Sequence, residues 1–130
     1  MKALIIMGSQ SDEKVMEECS NWLNWFHIEN EMVVASAHRN PDKVRELMVN
    51  AKANGFGAVV AAAGMAAALP GGIDALYSIV QMPAGLPVGT LAVGKAGARN
   101  AAVLVARIFA LANEKVAARV EEFKQNEYRI

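Results

Sequence analysis

Ala3-Leu4-Ile5-Ile6-Met7-Gly8-Ser9-Gln10-Ser11-Asp12 opens the chain and decides its fold. The apolar run reads as a β-strand that stops at Met7, and Gly8 with two serines makes a turn. Ser11 or Asp12 then caps a helix whose apolar positions Val15, Met16, Cys19, Trp22, Leu23 and Phe26 recur at helical spacing. A second strand-like run, Met32 to Ala35, leads into Ser36-Ala37-His38-Arg39, and Asn40-Pro41 starts another helix with Asn40 as N-cap. Val44, Leu47, Met48 and Ala51 are expected on its buried face, with Gly55 ending it.

The same alternation continues downstream. Ala58 to Ala63 shows no polar alternation and reads as a strand buried on both faces. Pro70-Gly71-Gly72 breaks the chain, and Ile73 to Gln81 fits a short helix. Pro87 to Val93 reads as the last strand, followed by a long helix from about Ala98 to Ala112 and a polar amphipathic one carrying Val116, Val120 and Phe123. Strand and helix in regular succession argue for one α/β domain spanning 1–130, a parallel sheet with helices on both faces.

Composition narrows the function classes. The chain has 130 residues, enough for a single core. Its 13 basic and 13 acidic residues cancel, and no basic stripe exists, so nucleic acid is not an expected partner. Hydrophobic residues reach 54%, many of them small, which favours flat buried surfaces and subunit interfaces. The lone Cys19 cannot form an intramolecular disulfide, fits a reducing compartment and falls on an apolar helix face, where packing is its expected role. The apolar stretch Ala58–Leu69 is too short to cross a bilayer, and the N-terminus lacks a signal-peptide pattern. A cytoplasmic protein without membrane partners is expected.

The chemistry concentrates in the two opening loops. In an open parallel sheet, the loops at the carboxyl ends of the strands converge on one crevice. Gly8 allows close backbone approach, Ser9 and Ser11 supply hydroxyls for phosphate oxygens, and the following helix adds its positive end. Asp12 is suited to ribose hydroxyls. The plain alternative is an ordinary strand-to-helix turn. Arg39 stands just before a helix start, where the dipole disfavours a cation, so an anion in the crevice would explain it. His38 lies beside it with the usual proton shuttle near neutral pH. The alternative for His38 is a satisfied loop histidine. His27 reads as a connector, and Trp22, Trp25 and Phe26 as core or interface. Gly94 to Asn100 reads either as a rim loop whose Lys95 helps bind an anion or as a glycine-rich helix entry. No metal-ligand spacing, Walker loop or dinucleotide fingerprint is present, so neither a metal nor an organic cofactor is expected.

Taken in order, these motifs resemble the class I 5-(carboxyamino)imidazole ribonucleotide mutases, the PurE family of purine biosynthesis. The resemblance rests on Ile6-Met7-Gly8-Ser9 with Ser11-Asp12, and on Val34 and Ser36-Ala37-His38-Arg39 with Pro41. It continues through Leu69-Pro70-Gly71, Ser78 to Pro83, and Gly94-Lys95-Ala96-Gly97 with Asn100-Ala101-Ala102. It implies a flavodoxin-like three-layer α/β/α sandwich, an isomerase without cofactors, and a homo-octamer with sites between subunits, the helix at 114–130 lying at an interface. By resemblance, His38 shuttles the proton, and Gly8, Ser9, Ser11, Asp12, Ser36, Ala37, Arg39 and Gly64 bind a phosphoribosyl substrate.

Two departures stand out. Ala68 occupies the place of a histidine in the family loop Gly-Ala-Ala-His-Leu-Pro-Gly. About twenty residues, a helix and a central strand, are missing after Gly71, which leaves four expected strands. The competing reading is a catalytically impaired PurE-like protein, a ligand-binding module or oligomeric scaffold.

Overall fold

The computed structural model describes residues 1–62, 83–85 and 87–130. Three strands, β1 (Lys2–Met7), β2 (Glu29–Val34) and β3 (Phe56–Ala62), form one parallel sheet in the order β2-β1-β3. The helices are α1 (Glu13–Trp25), α2 (Pro41–Asn50), α3 (Gly94–Ala110) and α4 (Glu114–Gln125). The end of the third strand at Ala63, Gly64, Ala68, the Pro70-Gly71-Gly72 break and the helix from Ile73 to Gln81 lie outside the described residues.

The strand order follows from the connections. The chain moves from β1 to β2 on one side, then back across β1 to β3 on the other. Right-handed crossovers in opposite directions put their helices on opposite faces. Side chains alternate along β1 accordingly. Ala3, Ile5 and Met7 join the main core with Met16, Cys19, Leu23 and Phe26, together with Ala102, Val105, Phe109, Val116, Val120 and Phe123 of the C-terminal helices. Leu4 and Ile6 face the other way, against Ala35, Val44 and Leu47. β1 is the inner strand, and all five residues from Ala3 to Met7 are buried.

Three expectations need correction. Pro87–Val93 is not a strand, and α3 starts at Gly94 rather than Ala98. A strand exists only by pairing with a neighbour, and among the described residues none pairs with this segment. Second, β3 is an edge strand of the described sheet and alternates, with Val60 buried and Val59 42% exposed. The doubly buried reading required a packed layer over each face, and in the described structure only the face that carries Val60 joins the core. Third, α2 has no fully buried residue. Val44 and Leu47 pack on the sheet as expected, but a narrow sheet leaves Met48 exposed.

The aromatic residues of α1 do meet the core. Phe123 of α4 makes edge-to-face contacts with Trp22, Trp25 and Phe26 at centroid distances of 5.5, 5.9 and 5.3 Å. Arg119 stacks over Trp25 and donates to its carbonyl at 2.8 Å, fixing α4 on the end of α1. Cys19 is buried, and burial pushes its thiol pKa up to about 12. It is an inert packing residue.

His27 ends α1 in an unusual way. It has φ +58°, the Ile28 amide donates to Leu23 O at 2.9 Å, and its own amide donates to Asn24 O at 2.9 Å. That is a Schellman cap whose left-handed position is normally glycine. His27→Gly is therefore expected to stabilise the fold by about 0.5 kcal/mol, read as a higher midpoint in urea denaturation. A lower midpoint would mean the imidazole has a role of its own.

Candidate active site

The register places the two opening loops side by side. Met7 pairs with Val34 on one flank and with Ala62 on the other, so the strands end level. The ladder runs one step further, with the Ala35 amide donating to Met7 O at 2.8 Å and the Gly8 amide to Ala62 O at 3.4 Å. Gly8–Asp12 and Ser36–Arg39 leave from these ends.

The first loop is a single 3-10 turn, Gln10–Asp12, before α1 begins at Glu13. Ser9 has extended backbone (φ −149°), and its Oγ accepts from the Ser11 amide at 3.3 Å and the Ser11 hydroxyl at 3.0 Å. The capping expectation therefore shifts. Ser9 caps the turn, whereas Asp12 occupies the α1 N-cap without a side-chain hydrogen bond to the helix. The extra turn moves the capping position three residues back and leaves the Asp12 carboxylate uncommitted to the helix.

The second loop is anchored by buried Ala35. Ser36 Oγ accepts from the Arg39 amide at 3.3 Å, and Ser36 O accepts from the Asn40 amide at 2.8 Å. Asn40 Oδ1 accepts from the Lys43 amide at 3.1 Å with Pro41 at the first helical position, as the sequence predicts. Ala37, His38 and Arg39 stand exposed on the tight turn between these anchors.

One contact joins the loops. Arg39 Nη2 donates to Gly8 O at 3.3 Å across 31 residues of sequence. Gly8, Ser9, Ser11, Asp12, Ser36, Ala37, His38 and Arg39 thus share one rim; Gly64 lies outside the described residues. A hydroxyl pair, a carboxylate, a guanidinium and a solvent-accessible imidazole are gathered there. Such a set suits a phosphorylated polyol with a proton-transfer centre beside it. Among the described residues no three His, Cys, Asp or Glu side chains gather to hold a metal ion.

Lys95 does not join this set. Its Nζ pairs with Glu18 Oε1 at 2.9 Å, and Arg99 reaches Glu18 Oε2 at 3.0 Å. Hydrogen bonds from Lys95 and Arg99 hold the Glu18 carboxyl below its ordinary pKa. The Gly94–Asn100 segment is therefore a helix entry fastened to α1, the second of its two sequence readings. Two side-chain anchors, neither of them a member of this set, escaped the sequence reading. Glu18 is one, since its partners are 77 and 81 residues away. Lys43 is the other; its Nζ donates to Val34 O at 2.8 Å at the end of β2.

Comparison with known proteins converges. The family model described as AIR carboxylase matches residues 2–75 and 71–129. N5-carboxyaminoimidazole ribonucleotide mutase of Haemophilus influenzae is 41% identical over 144 residues, covering 95% of this chain and 88% of that protein. The protein of the same name from Brucella melitensis is 44% identical over 142, covering 93% and 88%. Both alignments are longer than this chain's 130 residues, so these relatives carry residues that it lacks. Among solved structures, Treponema denticola PurE superposes with a TM-score of 0.82 at 26% identity, covering 96% of this chain and 90% of that one.

Proposed function

The chain belongs to the AIR carboxylase family, and from that premise we propose that it is a mutase converting 5-(carboxyamino)imidazole ribonucleotide to 4-carboxy-5-aminoimidazole ribonucleotide, an isomerase of purine biosynthesis. The observation that carries this reading is the Arg39–Gly8 bridge, which unites the hydroxyl loop and the imidazole loop on one rim.

In this reading Ser9, Ser11 and Arg39 hold the phosphate, Asp12 accepts from the ribose hydroxyls, and Gly8, Ser36, Ala37 and Gly64 line the site with main chain and small side chains. That leaves the base over His38. The carbamate C–N bond breaks, its electron pair stays on the exocyclic nitrogen, and His38 delivers a proton there as carbon dioxide leaves. The ring carbon then attacks the carbon dioxide and returns its proton to His38. Protons and electrons balance over the cycle, so the chemistry needs no cofactor.

Carbon dioxide must be kept from escaping between the two steps, and excluding water is part of that task. The described loops of one chain are open to solvent, so we place the working site between subunits of a homo-oligomer, an octamer by resemblance. Leu104, Ile108 and Leu111 follow one another along one side of α3 and its end at 38%, 50% and 86% exposure, an apolar stripe for a neighbouring subunit to cover. α4, which ends at Gln125 rather than running to 130 as expected, contributes its outer residues, since Val116, Val120 and Phe123 are buried within the chain. The cytoplasm, where the nucleotide substrate is made and consumed, is the compartment this reading requires.

Arg39→Ala tests the binding half. Losing a charge-assisted contact to phosphate should raise KM about tenfold or more with a smaller change in kcat. Unchanged KM in steady-state kinetics would remove Arg39 from the phosphate clamp.

A further inference from the structure

The two edges of the sheet are built differently. In the order β2-β1-β3, β2 and β3 each have one strand neighbour among the described residues. β3 carries neither a charge nor a proline. β2 begins with Glu29, Asn30 and Glu31, and Glu31 lies 3.1 Å from Lys2 of β1. Its far end holds a second device. The Ala35 amide donates to Met7 O, so Ala35 faces β1, and strand alternation turns the main-chain groups of Val34, Met32 and Asn30 outward. Lys43, exposed on α2, donates from Nζ to that outward Val34 O at 2.8 Å. At the other end Asn30 Nδ2 donates to Ile28 O at 3.2 Å, while its Oδ1 accepts from the Ser20 hydroxyl at 2.7 Å.

We propose that β2 is a guarded edge, at which Glu29, Glu31 and Lys43 together stop a second copy of this chain from extending the sheet. An edge strand offers a row of unpaired N–H and C=O groups to any other strand, and charged side chains, lysine above all, are the usual block. Two antiparallel registers bring the outward groups of two β2 strands together about a twofold axis. Centred on Met32, each Val34 carbonyl must accept from the other copy's Asn30 amide, and Lys43 already occupies that carbonyl. Glu31 then stands diagonally across from its own counterpart. Centred on Asn30, Glu29 falls directly opposite the other copy's Glu31. Like charges so placed oppose pairing. An added strand would also lie beside the Ser36–Arg39 turn, which leaves the same end of β2, so the guard keeps that turn clear. Association is directed to other surfaces.

The test is sedimentation velocity of the full chain over a range of concentrations, paired with hydrogen exchange at the outward Met32 amide. The triple variant Glu29→Thr, Glu31→Thr, Lys43→Met should form species larger than those of wild type, and its Met32 amide should exchange about tenfold more slowly, or slower still, as concentration rises. Wild type and Lys43→Arg, which keeps a cation at the Val34 carbonyl, should show no concentration dependence of Met32 exchange. A folded triple variant that sediments and exchanges like wild type overturns the proposal. So does a wild-type Met32 amide that becomes protected as concentration rises, since the edge would then be in use. Should the triple variant not fold by circular dichroism, the double variant Glu31→Gln, Lys43→Met carries the same comparison.

Discussion

His38→Asn is expected to lower kcat by 10²- to 10⁴-fold, the range for losing a positioned general acid–base, while 5-aminoimidazole ribonucleotide still binds within about twofold of wild type. The asymmetry follows from where the groups sit. His38 stands exposed on a three-residue turn whose geometry is set by other atoms: Ser36 Oγ on the Arg39 amide, Ser36 O on the Asn40 amide, and buried Ala35 beneath. Asparagine tolerates such turns and keeps a polar amide at this position, so the turn, and with it the proposed contacts of Arg39, should persist. What is lost is a group that both gives and takes a proton near neutral pH. A rate within threefold of wild type would show that His38 is not the shuttle. A parallel collapse of binding would show that it is a ligand instead.

Gly97→Ala should produce the largest stability loss of any single methyl group added to a described glycine, about 3 kcal/mol or more, with Tm falling by roughly 10 °C. A Cβ at Gly97 would lie 2.1 Å from Ala92 O and 2.8 Å from Ala92 C. Both are main-chain atoms, so no rotamer change relieves the clash. The segment is already committed: Ala92 has φ +107°, outside the range that L residues favour, and Asn100 Nδ2 holds Leu91 O at 3.0 Å. The added methyl must push α3 off α1 or break this turn. Two other glycines give a graded comparison. At Gly57 the new Cβ meets the Phe109 ring edge at 3.1 Å, and at Gly8 it meets nothing within 4 Å. Midpoints should fall in the order Gly8, Gly57, Gly97 for the alanine variants; an unchanged Gly97→Ala midpoint would mean the turn at Ala92 relaxes freely.

The parts of the fold legible in sequence are those set by local periodicity and caps. β1, α1, β2 and α2 appear in order, and the Asn40-Pro41 signal lands on the observed cap. The failures share one cause, dependence on distant neighbours. Pro87–Val93 has the composition of a strand, yet pairing decides, and no described strand adjoins it. Ala58–Ala62 carries apolar residues on both faces, but burial on both requires a packed layer over each, which only long-range packing supplies. Ser9, Ser11 and Arg39 stood out as candidates in the sequence because glycine, serine and a misplaced cation are local anomalies, and the fold sets them on one rim. Glu18 was not, because an acidic residue on a helix looks solvated until Lys95 and Arg99 arrive from the far end of the chain.

The departures from the family pattern bear on activity more than on fold. The family model matches in two overlapping pieces that meet at 71–75, and the bacterial relatives align over more positions than this chain has. The sequence interruption follows the loop containing Ala68, whereas both opening loops are complete. A ligand clamp without its full set of walls would bind the ribotide and fail to retain carbon dioxide. The two readings of this chain, mutase and binding module, thus separate on turnover alone.

Direct observation of the reaction is the decisive measurement. Purified protein is mixed with 5-(carboxyamino)imidazole ribonucleotide carrying ¹³C in its carboxylate, and the label is followed by NMR. The account predicts enzyme-dependent transfer of the label from the exocyclic nitrogen to the ring carbon, abolished by His38→Asn. Binding of the ribotide with no transfer above the uncatalysed rate would contradict it.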